Sequence, residues 1–88
     1  MKVSDKFELR EILGEHIVMP KGDKMSDFSG TIVLTDASAF AWEKLQMETT
    51  KEEVLSAVLE EFEVSREVAE KDLDHFLEQL RSFGVLEE

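Results

Sequence analysis

The chain has no cysteine, one proline, four glycines and two histidines among 88 residues. Without cysteine there are no disulfides, thiolate metal sites or cysteine nucleophiles, and the absence fits a reducing cytosol. No stretch approaches about 18 apolar residues, and Met1-Lys2-Val3-Ser4-Asp5-Lys6 leads into no apolar signal core, so neither export nor membrane spanning is expected. A cytoplasmic location follows as the expectation. The glycines are dispersed at Gly14, Gly22, Gly30 and Gly84, whereas phosphate-cradling loops need clustered glycines whose amides converge. Asp27-Phe28-Ser29-Gly30-Thr31 lacks the glycines that would flank a nucleophile elbow.

Basic residues are also scarce. Ten Lys and Arg face 21 Asp and Glu, for a net charge of −11. Residues 1–30 hold six acids and five bases, while residues 31–88 hold fifteen and five, so the excess belongs to the second part of the chain. A duplex carries one negative charge per roughly 1.7 Å and is bound by basic surfaces. Nucleic acid and anionic membranes are therefore disfavoured partners. A basic protein or peptide remains, or a surface that is negative only for solubility.

What is present is enough to fold. Leu, Ile, Val and Phe number 27 of the 88 residues, or 31%, well above the level at which charged chains stay disordered. The length suits one small domain over residues 1–88, and no linker, repeat or low-complexity tract divides it. Phe7-Glu8-Leu9-Arg10 alternates with the period of a half-buried strand. The alternation breaks at Glu11-Ile12, where a bulge or bend is expected. Gly14-Glu15 is the candidate turn into a second strand, His16–Met19, closed by Pro20. Thr31–Leu34 is a short β-branched run and the third strand.

From Thr35 the period becomes 3.6. Thr35 caps a first helix with Ala37, Phe40, Ala41 and Leu45 as its apolar stripe and Trp42 beside it. Thr50-Lys51-Glu52-Glu53 is a capping box opening a second helix with Val54, Leu55, Val58, Leu59 and Phe62. Ser65 caps a third, whose stripe is Ala69, Leu73, Phe76, Leu77, Leu80 and Phe83. Gly84 ends it, and Val85-Leu86 fold back onto it. The order β-β-β-α-α-α predicts a compact α+β domain with three helices covering one sheet.

Sites for chemistry are thin. Asp72 and His75 share a helical face, but they amount to two metal ligands, and an exposed histidine on an acidic helix is the simpler reading. Adjacent acids such as Glu52/Glu53 and Glu60/Glu61 point about 100° apart and cannot flank one substrate atom. No cofactor and no catalytic group is expected. Recognition remains. Residues 60–78 hold eight acids and two bases, so the last helix has a negative face beside its apolar stripe. If Thr31–Leu34 lies at a sheet edge, its main chain can accept an extended peptide. The alternatives are an edge covered within the chain or one paired with a second copy.

With those elements placed, the chain resembles the PqqD-like family, small peptide chaperones of pyrroloquinoline quinone biosynthesis. The same domain serves as the leader-peptide recognition element of systems that modify ribosomally made peptides. The likeness covers about residues 7–86. It rests on Leu9-Arg10-Glu11-Ile12-Leu13-Gly14-Glu15 with Val18-Met19-Pro20, on Gly30-Thr31-Ile32-Val33-Leu34-Thr35, and on Ala39-Phe40-Ala41-Trp42-Glu43-Lys44-Leu45. Thr50–Val54, Phe62-Glu63-Val64, Val68–Leu73, Phe76-Leu77, Leu80 and Gly84-Val85-Leu86 complete the ordered set. Two departures stand out: Thr35 where the family often has Asn, and Ala41 where it usually has a larger aliphatic.

The resemblance implies a winged-helix-like domain and no catalysis. A precursor's leader segment would add to the third strand and lie against the last helix while a radical or cyclising enzyme acts on the tethered core peptide. Carried onto this chain, the main chain of Thr31, Ile32, Val33 and Leu34 supplies ladder bonds. Asp72, His75, Phe76 and Gln79 form the facing wall, with acids selecting basic leader residues; of these four, the family motif itself marks Asp72 and Phe76. The competing expectation is a homodimerisation or subunit module using the same edge.

Overall fold

A computed structural model describes residues 1–21 and 32–88. The element order is β1 (Lys2–Val3), β2 (Phe7–Ile12), β3 (Glu15–Pro20), β4 (Ile32–Leu34), α1 (Asp36–Lys44), α2 (Lys51–Glu61), α3 (Arg66–Ser82) and β5 (Leu86–Glu87). β2, β3 and β4 form an antiparallel sheet in that order, followed in sequence by the three helices, so the fold is α+β as the periodicities predict. Gly22, the Ser29 neighbourhood and Thr31, the first residue of the expected third strand, lie outside the described residues.

Register fixes which side chains face the helices. Leu9 opposes Val18 and Val18 opposes Ile32, while His16 opposes Leu34. Because side chains alternate along a strand, Val18, Ile32 and Leu34 enter the core and Val33 points away from it, 57% exposed. The core continues through Trp42, Leu45, Val54, Leu55, Leu73, Leu77, Leu80 and Val85. Trp42 is thus central, one of the largest fully buried side chains, not merely flanking the α1 stripe.

Helix starts follow the polar caps. The Thr35 and Ser65 hydroxyls accept from Ser38 and Val68 N–H, at 3.1 and 3.2 Å. Thr50 and Glu53 form a complete capping box. Such caps satisfy amides that the first helical turn leaves unpaired. At the far end of α3, Gly84 has φ +72, the left-handed geometry that closes a helix.

Four details depart from the sequence expectations. The β2–β3 register runs unbroken from Phe7↔Pro20 to Ile12↔Glu15, so there is no bulge at Glu11-Ile12; the broken pattern reflects an exposed strand end, not an extra residue. The hairpin turn is Leu13-Gly14, one residue earlier than expected, with positive φ at both positions (+54 and +82). Val85-Leu86 do more than fold back. Leu86 pairs with Val3, and β1 and β5 form a two-stranded ribbon, tied to the body by Val3 N–H to Leu45 O (2.9 Å) and Ser4 N–H to Val85 O (2.7 Å). Phe83, expected in the α3 stripe, is 42% exposed, because α3 ends at Ser82 and Phe83 leaves the helical phase.

Candidate functional site

β4 is the edge of its sheet, and no other strand among the described residues pairs with its outer side. The opposite edge, β2, reads Phe-Glu-Leu-Arg-Glu-Ile, and charges at an edge discourage pairing with another chain. β4 reads Ile-Val-Leu, with no charge at all.

The phase of the ladder shows which β4 groups are available. In a hairpin with a two-residue turn, the pair flanking the turn exchanges both main-chain bonds, and alternate pairs repeat this. That pair is Ile12 and Glu15, so Arg10 and Ile17 bond each other and His16 and Val18 direct their groups toward β4. The Lys21 N–H donating to Lys6 O at 2.9 Å keeps the same phase. Ile32 and Leu34 oppose Val18 and His16 and spend their groups inside the sheet. Val33 turns both its N–H and its C=O to the free edge. The expectation that Ile32 and Leu34 also offer outward ladder bonds is therefore corrected.

Beside this edge runs a groove of about 880 Å³. Val33 and Leu34 bound one side; Asp72, His75, Phe76 and Gln79 on α3 bound the other. Their spacing of three to four residues puts them on one helical face. Phe76 is buried at the base and the three polar side chains stand at the rim. Ile32 does not line the groove; it is core.

The sequence reading missed the groove's ends. Thr35, Ala37, Ser38 and Ala41 at the start of α1, and Val58, Phe62, Glu63 and Val64 around the α2–α3 junction, also line it. Phe62 is held by an edge-to-face contact with Phe40, centroids 5.5 Å apart, and Lys44 lies 5.0 Å over the Phe40 ring. The place of Phe62 at the end of α2's apolar stripe, just before Glu63-Val64-Ser65, was the signal available in the sequence. The lining on the α1 side includes Ala41, whose small side chain takes up little of the trough.

Two polar links frame the site. His16 Nε2 lies 3.1 Å from Asp36 Oδ1, joining β3 to the first turn of α1. Arg81 binds Glu78 (3.2 Å) and both carboxylate oxygens of Glu88 (3.0 and 3.1 Å). The Arg81 hydrogen bonds hold the Glu88 carboxyl below its ordinary value. Among the groove's lining side chains there are three acids, Glu63, Asp72 and Glu78, and no Lys or Arg. Among the described residues no three His, Asp or Glu converge in a way that could hold a metal; His16 faces Asp36 and does not join Asp72 and His75. The geometry offers an apolar trough, one residue with its N–H and C=O both outward, and an acidic rim, which suits an extended chain.

Comparison with known proteins agrees with that shape. Residues 15–86 match the family model for coenzyme PQQ synthesis protein D (PqqD). The chain resembles the structure of TbiB1 in complex with the TbiA(beta) leader peptide, with 26% identity and a TM-score of 0.74 over 99% of this chain and 95% of that one. It shares the fold of lasso peptide synthetase B1 complexed with the leader peptide, with 18% identity and a TM-score of 0.70 over 96% and 93%. No curated protein matches in sequence.

Proposed function

We propose that this chain, which belongs to the PqqD family, is a single-domain, non-catalytic peptide chaperone. It captures the leader segment of a ribosomally made precursor and presents the tethered core to a modifying enzyme, such as a radical enzyme, in the cytoplasm. The observation that carries this reading is the uncharged edge strand β4 standing over an apolar groove walled by α3. Support comes from the TbiB1 relative, similar along nearly the whole of both chains and bound to a leader peptide. No helix among the described residues is long and apolar enough to cross a membrane.

The magnitudes say how such binding would be divided. Micromolar affinity needs about 8 kcal/mol. The outward groups of Val33 offer two main-chain bonds, each a net ~0.5–1.5 kcal/mol. Strand addition therefore sets register and direction, and side chains seated in the groove supply most of the affinity.

An amide NMR titration with the peptides encoded beside this gene tests the reading. Shifts concentrated at Val33, Leu34 and residues 72–79 are the expected result. A folded protein that responds to none of them, and that light scattering shows as a concentration-independent dimer, would move β4 to a subunit contact.

A further inference from the structure

The acids of the groove are not equivalent. Glu78 already has its cation, Arg81. The Asp72 and Glu63 side chains have neither a hydrogen bond nor an ion pair among the described residues, although four carboxylates on α2 and α3 have an ion pair: Glu52 with Arg66, Glu70 and Asp74 with Lys51, and Glu78 with Arg81. Cations are scarce in this chain, and Glu53, Glu60, Glu61 and Glu67 also lack one, but of the unpaired carboxylates it is Asp72 and Glu63 that stand at the groove, beside buried or half-buried apolar side chains: Phe62 and Val64 for Glu63, Leu73 and Phe76 for Asp72.

Resting on the peptide-capture reading, we propose that Asp72 and Glu63 are specificity residues that select leaders carrying lysine or arginine next to an apolar anchor. A long basic side chain suits this setting better than any other. Its methylene stem lies along the apolar floor while its head reaches a carboxylate at the rim. A peptide seated between these acids removes water from them, so a leader with no cation there would leave negative charge partly desolvated and unpaired. An acidic leader adds repulsion from both side chains and from the net charge of −11, which discriminates against wrong partners as much as it attracts right ones. The chain's field also steers a basic leader toward the groove and speeds encounter at low salt.

The test uses fluorescein-labelled leader segments of the short peptides encoded beside this gene. Each is made in its own sequence, with every Lys and Arg replaced by Gln, and with every one replaced by Glu. Anisotropy titrations at two salt concentrations are expected to rank them native, Gln, Glu, with native over Gln on the order of tenfold and narrowing as salt rises. In Asp72→Asn/Glu63→Gln protein the native-to-Gln ratio falls toward one. In Glu43→Gln/Glu60→Gln protein, where the same charge is removed away from the groove, the ratio persists. Equal binding of all three forms, or equal loss of the ratio in both double variants, overturns the proposal and leaves peptide capture standing. No binding by any form to protein with an intact amide spectrum overturns the peptide-capture reading and the proposal with it.

Discussion

The Lys51 ammonium lies 2.7 Å from Asp74 and 3.3 Å from Glu70, so the first residue of α2 is fastened to the middle of α3. These contacts, the Asp74 hydrogen bond first, raise the Lys51 pKa above its ordinary 10.5. A raised lysine pKa contributes stability that is fully present below the unfolded value and lost as pH climbs through the folded one. Lys51→Gln should therefore melt below the native protein at pH 8, and the gap should close above about pH 10.5. Thermal unfolding of both proteins between pH 8 and 12 checks it. A gap that stays constant across that range contradicts the assignment.

Val33→Pro separates the groove from the fold. Val33 has its N–H at the free edge, so proline there removes no bond within the sheet, and the exposed side chain loses little burial. The far-UV circular dichroism should be retained. Leader affinity should fall at least tenfold, because an outward donor is lost and the ring meets the incoming strand. Leu34→Pro, by contrast, removes an internal ladder bond and should unfold or strongly destabilise the protein. If the two variants behave alike, the ladder phase is the reverse of the one derived.

Leu13 is 99% exposed and held at φ +54, where a side chain with a Cβ costs roughly 1–2 kcal/mol. Turns of this type favour Asn-Gly, and Gly14 is already in place. Leu13→Asn should raise the urea midpoint by an amount equivalent to about 1 kcal/mol at unchanged slope. No side-chain contact is sacrificed, so a loss of stability would point to a role for Leu13 in this structure that its exposure does not show.

The hairpin also shows what the sequence could not disclose. Gly14 marked a turn, but a glycine alone does not reveal whether its partner precedes or follows it, and a leucine is a poor guide to positive φ. Helix starts were legible because Thr35, Thr50 and Ser65 cap by local hydrogen bonds. The β1–β5 ribbon was not, since Lys2-Val3 and Leu86-Glu87 are too short to show a period and pair across almost the whole chain. At the site, spacing put Asp72, His75, Phe76 and Gln79 on one face of α3, while the expectation that this face stands opposite the third strand came from the family resemblance. The outward direction of Val33, by contrast, depends on register relayed through two other strands.

Ala41 tests whether a leader reaches the groove floor. It is 2% exposed and lines the groove from α1 together with Val33 and Leu34 of β4. Ala41→Leu extends a branched side chain into the trough. Overpacking costs typically 1–3 kcal/mol where surroundings cannot yield, but here one side opens on the groove, so the loss in stability should sit at the low end of that range. Leader affinity should fall by about an order of magnitude as apolar contact area is displaced. The slope of affinity against salt should stay as it is, since Asp72 and Glu63 are untouched. Isothermal titration at two salt concentrations, with urea unfolding as control, reads both. An unaltered affinity in stable Ala41→Leu protein would restrict the leader to the rim between Val33 and α3.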